Sequence, residues 1–292
     1  MPNTRPNQLL PGLLFAMLWA SASVATKFGV QSVAPLVLAT VRFLIAGSGM
    51  LLFAYGVQRG NPLPRGVEWR RLTLFSVLNT ALYLGLFVVA LKQVSAGIGS
   101  LSTATNPLFI SLMSAIWLRR PLRWQEGVGL LLGLAGVFVA TIPLFERSYA
   151  TTGGLLILLA SMLSVSAATV YYARFEWRLP ALVINGWQVL IAGFILLPIT
   201  LLTTTLSAQH FDGRFWAAVG WLIGPVSIVA LQLWFGLIRA DAVRASLWLF
   251  LCPVFGFAYA ALLTGEPITL YTVAGTLLVI AGLWMGRTAK ER

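Results

Sequence analysis

Apolar residues come in long, nearly unbroken runs along this chain, separated by short clusters of Arg, Pro, Asn and Asp. Each run is close to the ~17–25 residues that carry an α-helix across the hydrocarbon core of a bilayer. They recur at residues 9–30, 35–57, 72–91, 96–118, 127–142, 154–173, 180–202, 215–238, 242–263 and 268–286. The pattern predicts an all-α polytopic membrane protein with ten transmembrane helices. Every connection is short, the longest near residues 58–71 and 203–214, so no soluble domain fits between the spans.

A shift of 146 residues lays the chain on itself. Leu44-Ile45-Ala46-Gly47 then meets Leu190-Ile191-Ala192-Gly193, Pro107 meets Pro253, Arg120-Pro121 meets Glu266-Pro267, and Gly129 and Gly136 meet Gly275 and Gly282. One unit has been used twice, over residues 1–146 and 147–292. Five crossings per unit turn the second copy upside down relative to the first. Two inverted five-helix repeats are the expected architecture, which is that of an alternating-access transporter.

Composition agrees, with 59% hydrophobic and 10% charged residues against the roughly one-quarter charge of soluble domains. A net charge of +12 raises the possibility of nucleic acid as a partner, but the cations are spread through short loops rather than gathered on one polar face. Orientation explains them better. With a cytoplasmic N-terminus, inside segments hold Arg5, Arg59, Arg65, Arg70, Arg71, Arg119, Arg120, Arg123, Arg174, Arg178, Arg239, Arg244, Arg287, Lys290 and Arg292. Outside segments hold Lys27, Lys92, Arg147 and Arg214, and Arg42 lies within the second span. This is a strong positive-inside bias. It also reverses between the copies, since the loop with Arg119, Arg120 and Arg123 corresponds to one with Glu266 and no cation. Cytoplasmic N- and C-termini are the orientation that follows. The expected partners are lipids and a small solute, with no nucleic acid, and a monomer is the expected state. The polar residues 1–8 and the long first span read as a retained helix, not a signal peptide.

Polar groups inside the spans carry the candidate chemistry. Arg42 sits about seven residues, roughly 10 Å, inside the second span, where a charge costs at least ~2.5 kcal/mol on insertion scales. It is either a cavity cation for a substrate carboxylate or a structural arginine that snorkels or bonds helix ends; its repeat equivalent is neutral Gln188. Asn79 and Tyr83, four apart on one helix face, together with Asn106 and Gln232, either line a wet cavity or bond neighbouring helices. Asn185 and Gln188 fit the second role better. Among aromatics away from the span ends, Trp19, Trp234 and Trp248 are candidates for an apolar pocket that takes a solute side chain. Trp69, Trp117, Trp124, Trp177 and Trp216 fall near span ends, where headgroup anchoring is the expected role.

Pro107 and Pro253 each free the carbonyl four residues earlier, at Thr103 and Leu249, and are candidate hinges or fixed kinks. The small residues Gly97, Ser100 and Ala104, with Ala242 and Ser246 in the repeat, share those spans. Glycines at four-residue spacing, Gly129 with Gly133 and Gly282 with Gly286, suit close helix packing. A dinucleotide loop is discarded for Gly127, Gly129 and Gly133, because no strand precedes them.

No Asp or Glu falls deep in a span, which argues against an embedded proton relay. It argues equally against a buried counter-charge for permanent organic cations. The one cysteine, Cys252, excludes an intramolecular disulfide, and the one histidine, His210, lies in an outside loop. No catalytic constellation, metal cluster or cofactor motif is present, so an enzyme is not expected.

The segments Leu18-Trp19-Ala20-Ser21, Val41-Arg42-Phe43-Leu44 and Ala104-Thr105-Asn106-Pro107-Leu108 carry a family resemblance. So do Arg119-Arg120-Pro121-Leu122 followed by Gly129, Gly133 and Gly136, and in the second copy Pro253, Gly265-Glu266-Pro267, Gly275 and Gly282. With these motifs the chain resembles the ten-helix, EamA-type branch of the drug/metabolite transporter superfamily over nearly its whole length. The resemblance implies an inner-membrane exporter of small metabolites. The overall look is similar to the YddG-like exporters of aromatic and other neutral amino acids, and departs from sugar-phosphate carriers, which would be expected to pair basic residues in the cavity. A drug or other-metabolite exporter is the alternative within transport, and a channel the alternative class.

Overall fold

Hydrocarbon offers no hydrogen-bond partners, so a chain this apolar satisfies its backbone within each segment, as helix. The structure, a computed structural model, describes residues 8–94, 99, 102–119, 122–145, 151–264 and 269–287, and all regular structure among them is helical. The helices are α1 (Leu9–Gly29), α2 (Pro35–Leu52), α3 (Val67–Ser76), α4 (Tyr83–Ala90), α5 (Asn106–Trp117), α6 (Trp124–Phe145) and α7 (Thr152–Arg174). They continue with α8 (Ala181–Thr203), α9 (Gly213–Trp221), α10 (Leu231–Ala240), α11 (Ala242–Ser246), α12 (Leu251–Thr264) and α13 (Leu270–Arg287). Among the described residues, seven rods have the length and hydropathy to cross a membrane: Leu9–Gly29, Pro35–Val57, Val67–Ala90, Thr152–Arg174, Ala181–Thr203, Gly213–Ala240 and Ala242–Leu263. The other three expected runs contain α5, α6 and α13. Ala96, Gly97, Ser100, Arg120, Pro121, Arg147, Gly265, Glu266 and Pro267, the ends of the chain at Arg5, Lys290 and Arg292, and the boundary between residues 146 and 147 lie outside the described residues.

The rods that begin earlier than hydropathy suggests include the third and the eighth. The third starts at Val67 rather than at residue 72, because the charges in its first turns are used locally. Glu68 accepts the Arg65 backbone N–H at 2.8 Å and forms an ion pair with Arg178 at 2.9 Å, which raises the Arg178 guanidinium above its usual value. The eighth starts at Gly213, capped by Asp212, whose carboxylate accepts the Phe215 N–H at 2.8 Å. That bond and a second from the Ser32 hydroxyl hold the Asp212 carboxyl below its ordinary value.

Three rods change pitch midway. The third passes through a π-helical stretch at Val77–Leu82 and the eighth through one at Leu222–Ala230, which contains the positions equivalent to the first under the 146-residue shift; the second ends in another at Phe53–Val57. Pro225 within the longest stretch removes one backbone donor. Side chains from neighbouring helices use carbonyls within these wider turns: the Ser164 hydroxyl donates to Leu78 O and the Asn185 amide to Ser227 O, both at 2.7 Å. Ahead of each candidate hinge proline the helix tightens instead, into 3₁₀ turns at Thr103–Thr105 and Leu247–Phe250.

Two helix pairs hold the halves together, and their contacts are reciprocal. A Cβ on Gly47 would stand 2.6 Å from the Leu190 backbone nitrogen, and one on Gly193 would stand 3.1 Å from that of Leu44. Likewise a Cβ on Gly136 would stand 2.5 Å from Gly275 O, and one on Gly282 would stand 2.7 Å from Gly129 O. Each second contact is the first displaced by 146 residues in both partners. Along α2 and α8 the contacts run from Thr40 with Thr200, hydroxyl to hydroxyl at 2.7 Å, to Leu51 with Gly186. The pair is therefore antiparallel, and the order of contacts makes α6 and α13 antiparallel too.

Among the expected anchors, Trp69, Trp117, Trp124 and Trp216 are exposed at helix ends. Trp177 is instead half-buried, stacked on Tyr172 and donating its indole N–H to Tyr172 O at 2.9 Å.

Gly47→Ala and Gly136→Ala are expected to lower the stability of the detergent-solubilised protein by about 1–3 kcal/mol through overpacking against backbone. Gly49→Ala, where nothing lies within 4 Å, is expected to cause no loss. Thermal unfolding followed by size-exclusion chromatography checks this; equal midpoints for all three would contradict the close approach.

Candidate functional site

Two cavities lie end to end along α1. The first, a narrow cleft of about 20 Å³, takes Trp19, Ser23 and Thr26 from α1, Arg42 from α2, Tyr83 and Val88 from α4, and Thr103, Val226 and Cys252. The second, about 10 Å³, takes Phe15 and Trp19 from α1, with Tyr83, Asn106, Val165, Thr169, Trp234 and Leu249. The first cavity uses the Gly29-side half of α1, and the second uses Phe15 on its Leu9 side. Trp19 and Tyr83 belong to both. Their rings stack at 6.4 Å and 18° and form the wall between the cavities. Trp19 stacks in turn on Phe15, and Phe15 on Trp234 at 4.8 Å.

The cavities are related by the duplication. Displacement by 146 residues carries Trp19, Ser23, Val88 and Thr103 of the first onto Val165, Thr169, Trp234 and Leu249 of the second, and Asn106 of the second onto Cys252 of the first. The two 3₁₀ turns contribute Thr103 and Leu249, and Asn106 and Cys252 adjoin Pro107 and Pro253. The candidate hinges thus flank the cavity walls in both halves.

A buried polar network runs behind the first cavity. Arg42 donates its Nε–H to the Ser227 hydroxyl at 3.0 Å, and Asn185 donates to Ser227 O. Gln188 donates to Asn185 Oδ1 at 3.0 Å and accepts from the Thr80 hydroxyl and, at 3.4 Å, from Asn79 Nδ2. The Ser76 hydroxyl donates to Gln188 O at 2.5 Å. Each donor needs this partner, because burial without one costs about 1–3 kcal/mol. Arg42 Nη2 is buried without a hydrogen-bond partner, as is Gln232 Nε2, and of these two residues Arg42 lines the first cavity.

The sequence candidates therefore divide. Trp19, Arg42, Tyr83, Asn106 and Trp234 line one or both cavities. Asn79 lies in the network behind them. Gln232 is half-buried and lines neither cavity. Trp248 fills space beside α1, where a Cβ on Gly12 would overlap its ring. Ser23, Thr26, Thr103, Thr169 and Phe15 line the cavities without having been singled out. Ser23 and Thr169 are repeat-equivalent hydroxyls, and the 146-residue shift applied to hydroxyl positions is the signal that finds them. Among the described residues, no group of three His, Cys, Asp or Glu side chains is placed to hold a metal.

A family model described as the EamA-like transporter family matches this chain twice, over residues 8–142 and 152–286. An uncharacterized inner membrane transporter of Escherichia coli, YedA, is 33% identical over 275 residues, covering 91% of this chain and 87% of that protein. An uncharacterized transporter of Synechocystis sp. is 28% identical over 287 residues, covering 92% and 86%. A further one from Bacillus subtilis, YvbV, is 26% identical over 100% of this chain and 94% of its own. A solved crystal structure shares the fold with a TM-score of 0.81 at 22% identity, over 98% of this chain and 100% of that one.

Gln188→Leu is expected to leave Asn185, Thr80 and Asn79 each short of a partner and to lower stability by about 1–3 kcal/mol per group. Thr203→Val, which removes an exposed hydroxyl bonded only to Ile199 O, is expected to leave it unchanged. Melting midpoints in detergent measure both, and an unshifted Gln188→Leu would mean that the network is not formed.

Proposed function

The chain belongs to the EamA-like transporter family, and from that premise we propose that it exports small neutral metabolites, aromatic and other neutral amino acids foremost, by alternating access between two inverted five-helix repeats. It is a multi-pass membrane transporter and not an enzyme. The observation that carries the proposal is the pair of repeat-related cavities on either side of one Trp19–Tyr83 wall. If one conformation of the first half with the second opens one cavity, the exchanged conformation opens the other. The reciprocal antiparallel contacts of α2 with α8 and of α6 with α13 support the inversion.

With both termini in the cytoplasm, the first cavity faces outward and the second inward. The aromatic wall suits an apolar side chain, and the hydroxyls of Ser23, Thr26 and Thr103 with the Asn106 amide suit polar groups. Among the described residues, neither cavity is lined by Asp or Glu, which favours flux down the solute's own gradient over obligatory proton coupling. The 3₁₀ turns ahead of Pro107 and Pro253 are where the walls bend.

Purified protein in liposomes is expected to give saturable flux of neutral amino acids with no imposed pH gradient. Absence of saturable flux for any of them defeats the substrate reading, and uphill accumulation that requires a pH gradient defeats the coupling reading. In a Cys252→Ala background, Ser23→Cys is expected to label from outside and Thr169→Cys from inside, with saturating solute moving the two rates in opposite directions. Simultaneous labelling of both at full rate would indicate a channel.

A further inference from the structure

The geometry points to a carboxylate subsite at Arg42, present in the first cavity and lacking in the second, so that the solutes recognised are amphipathic monocarboxylic acids whose amino group is dispensable. This rests on the export reading above and replaces net neutrality with a carboxylate as the feature recognised.

Arg42 is 3% exposed; its guanidinium donates through Nε to Ser227 and lies 5.5 Å from the centroid of the Phe43 ring. Nη2 is buried without a partner, and no carboxylate among the described residues pairs with Arg42. A cation left uncompensated at this depth is costly and in membrane proteins marks the path of a solute or ion. An arginine presents its remaining N–H groups in a fixed plane that matches a carboxylate. The Ser227 hydroxyl holds the guanidinium through Nε, and the residue as a whole lines the first cavity.

The duplication supplies an internal comparison. At the equivalent position Gln188 carries no charge, and both ends of its amide are already bonded, to Asn185 and to Thr80 with Asn79. Among the described residues, the second cavity has no charged lining residue. One guanidinium neutralises one negative charge, so a carboxylate is matched whereas a phosphate dianion keeps a surplus in low dielectric. No acid lines the first cavity to receive an ammonium group, which finds only the hydroxyls of Ser23, Thr26 and Thr103. The apolar remainder of the solute has Trp19, Tyr83 and Phe87 to lie against.

Binding to the detergent-solubilised full chain, by calorimetry or thermal shift, tests this with four probes of one skeleton: L-phenylalanine, 3-phenylpropanoate, phenylalaninamide and phenethylamine. Expected is binding of the two acids within about threefold of each other, and of the amide and amine at least tenfold more weakly. Arg42→Gln is expected to bring the acids down to the level of the amine, with Arg42→Lys intermediate. Should these variants fail to fold, the wild-type ranking alone decides. Equal binding of amine and acid, or loss of binding on removal of the amino group, overturns the proposal, as does a folded Arg42→Gln that keeps the acid preference. The same ligands in liposomes separate the two readings. Arg42-dependent binding without flux of any probe sinks the export reading and leaves the subsite standing, whereas saturable flux indifferent to Arg42 sinks the subsite alone.

Discussion

Hydrogen-bond closure in a medium that supplies no partners governs this molecule. The backbone meets the requirement as helix. Where the helices depart from α geometry, at Val77–Leu82 and Leu222–Ala230, serine and asparagine side chains from neighbouring helices reach carbonyls within the altered turns. The same requirement gathers Arg42, Ser227, Asn185, Gln188, Thr80 and Asn79 into one network instead of scattering them toward lipid.

Much of the fold is legible from hydropathy, because lipid enforces length: the run at residues 35–57 reappears within Pro35–Val57 almost unchanged. Errors at the ends come from charges that hydropathy counts as loop. Glu68 and Arg71 belong to a helix because Glu68 has an ion-pair partner at Arg178, more than a hundred residues away. The π-helical turns are invisible in the pattern, since a widened turn needs no special composition; only Pro225 gives a local sign of one.

The site was legible in part, and the division has a physical reason. Arg42, Tyr83 and Trp19 stand out because a charge or a large amphipathic ring inside a span demands a setting. Asn79 and Gln232 demand one equally, but a second helix bonds Asn79 away from the cavity, and no periodicity within one span reveals that helix. Ser23 and Thr169 are too small to be conspicuous and emerge only when the copies are compared. The duplication is therefore the richest information in the sequence, and its breaking at Arg42 and Gln188 is as informative as its keeping.

The glycine-lined antiparallel pairs have an electrical consequence. Each α-helix behaves as a macrodipole with opposite partial charges at its ends, and such dipoles go largely unscreened in hydrocarbon. Pressing α2 against α8 and α6 against α13 in opposite directions sets unlike ends side by side, so each couple attracts and its far field cancels. Transmembrane voltage then exerts no net torque on these couples, and the buried guanidinium of Arg42 remains a charge through which voltage can act on the interior of the bundle.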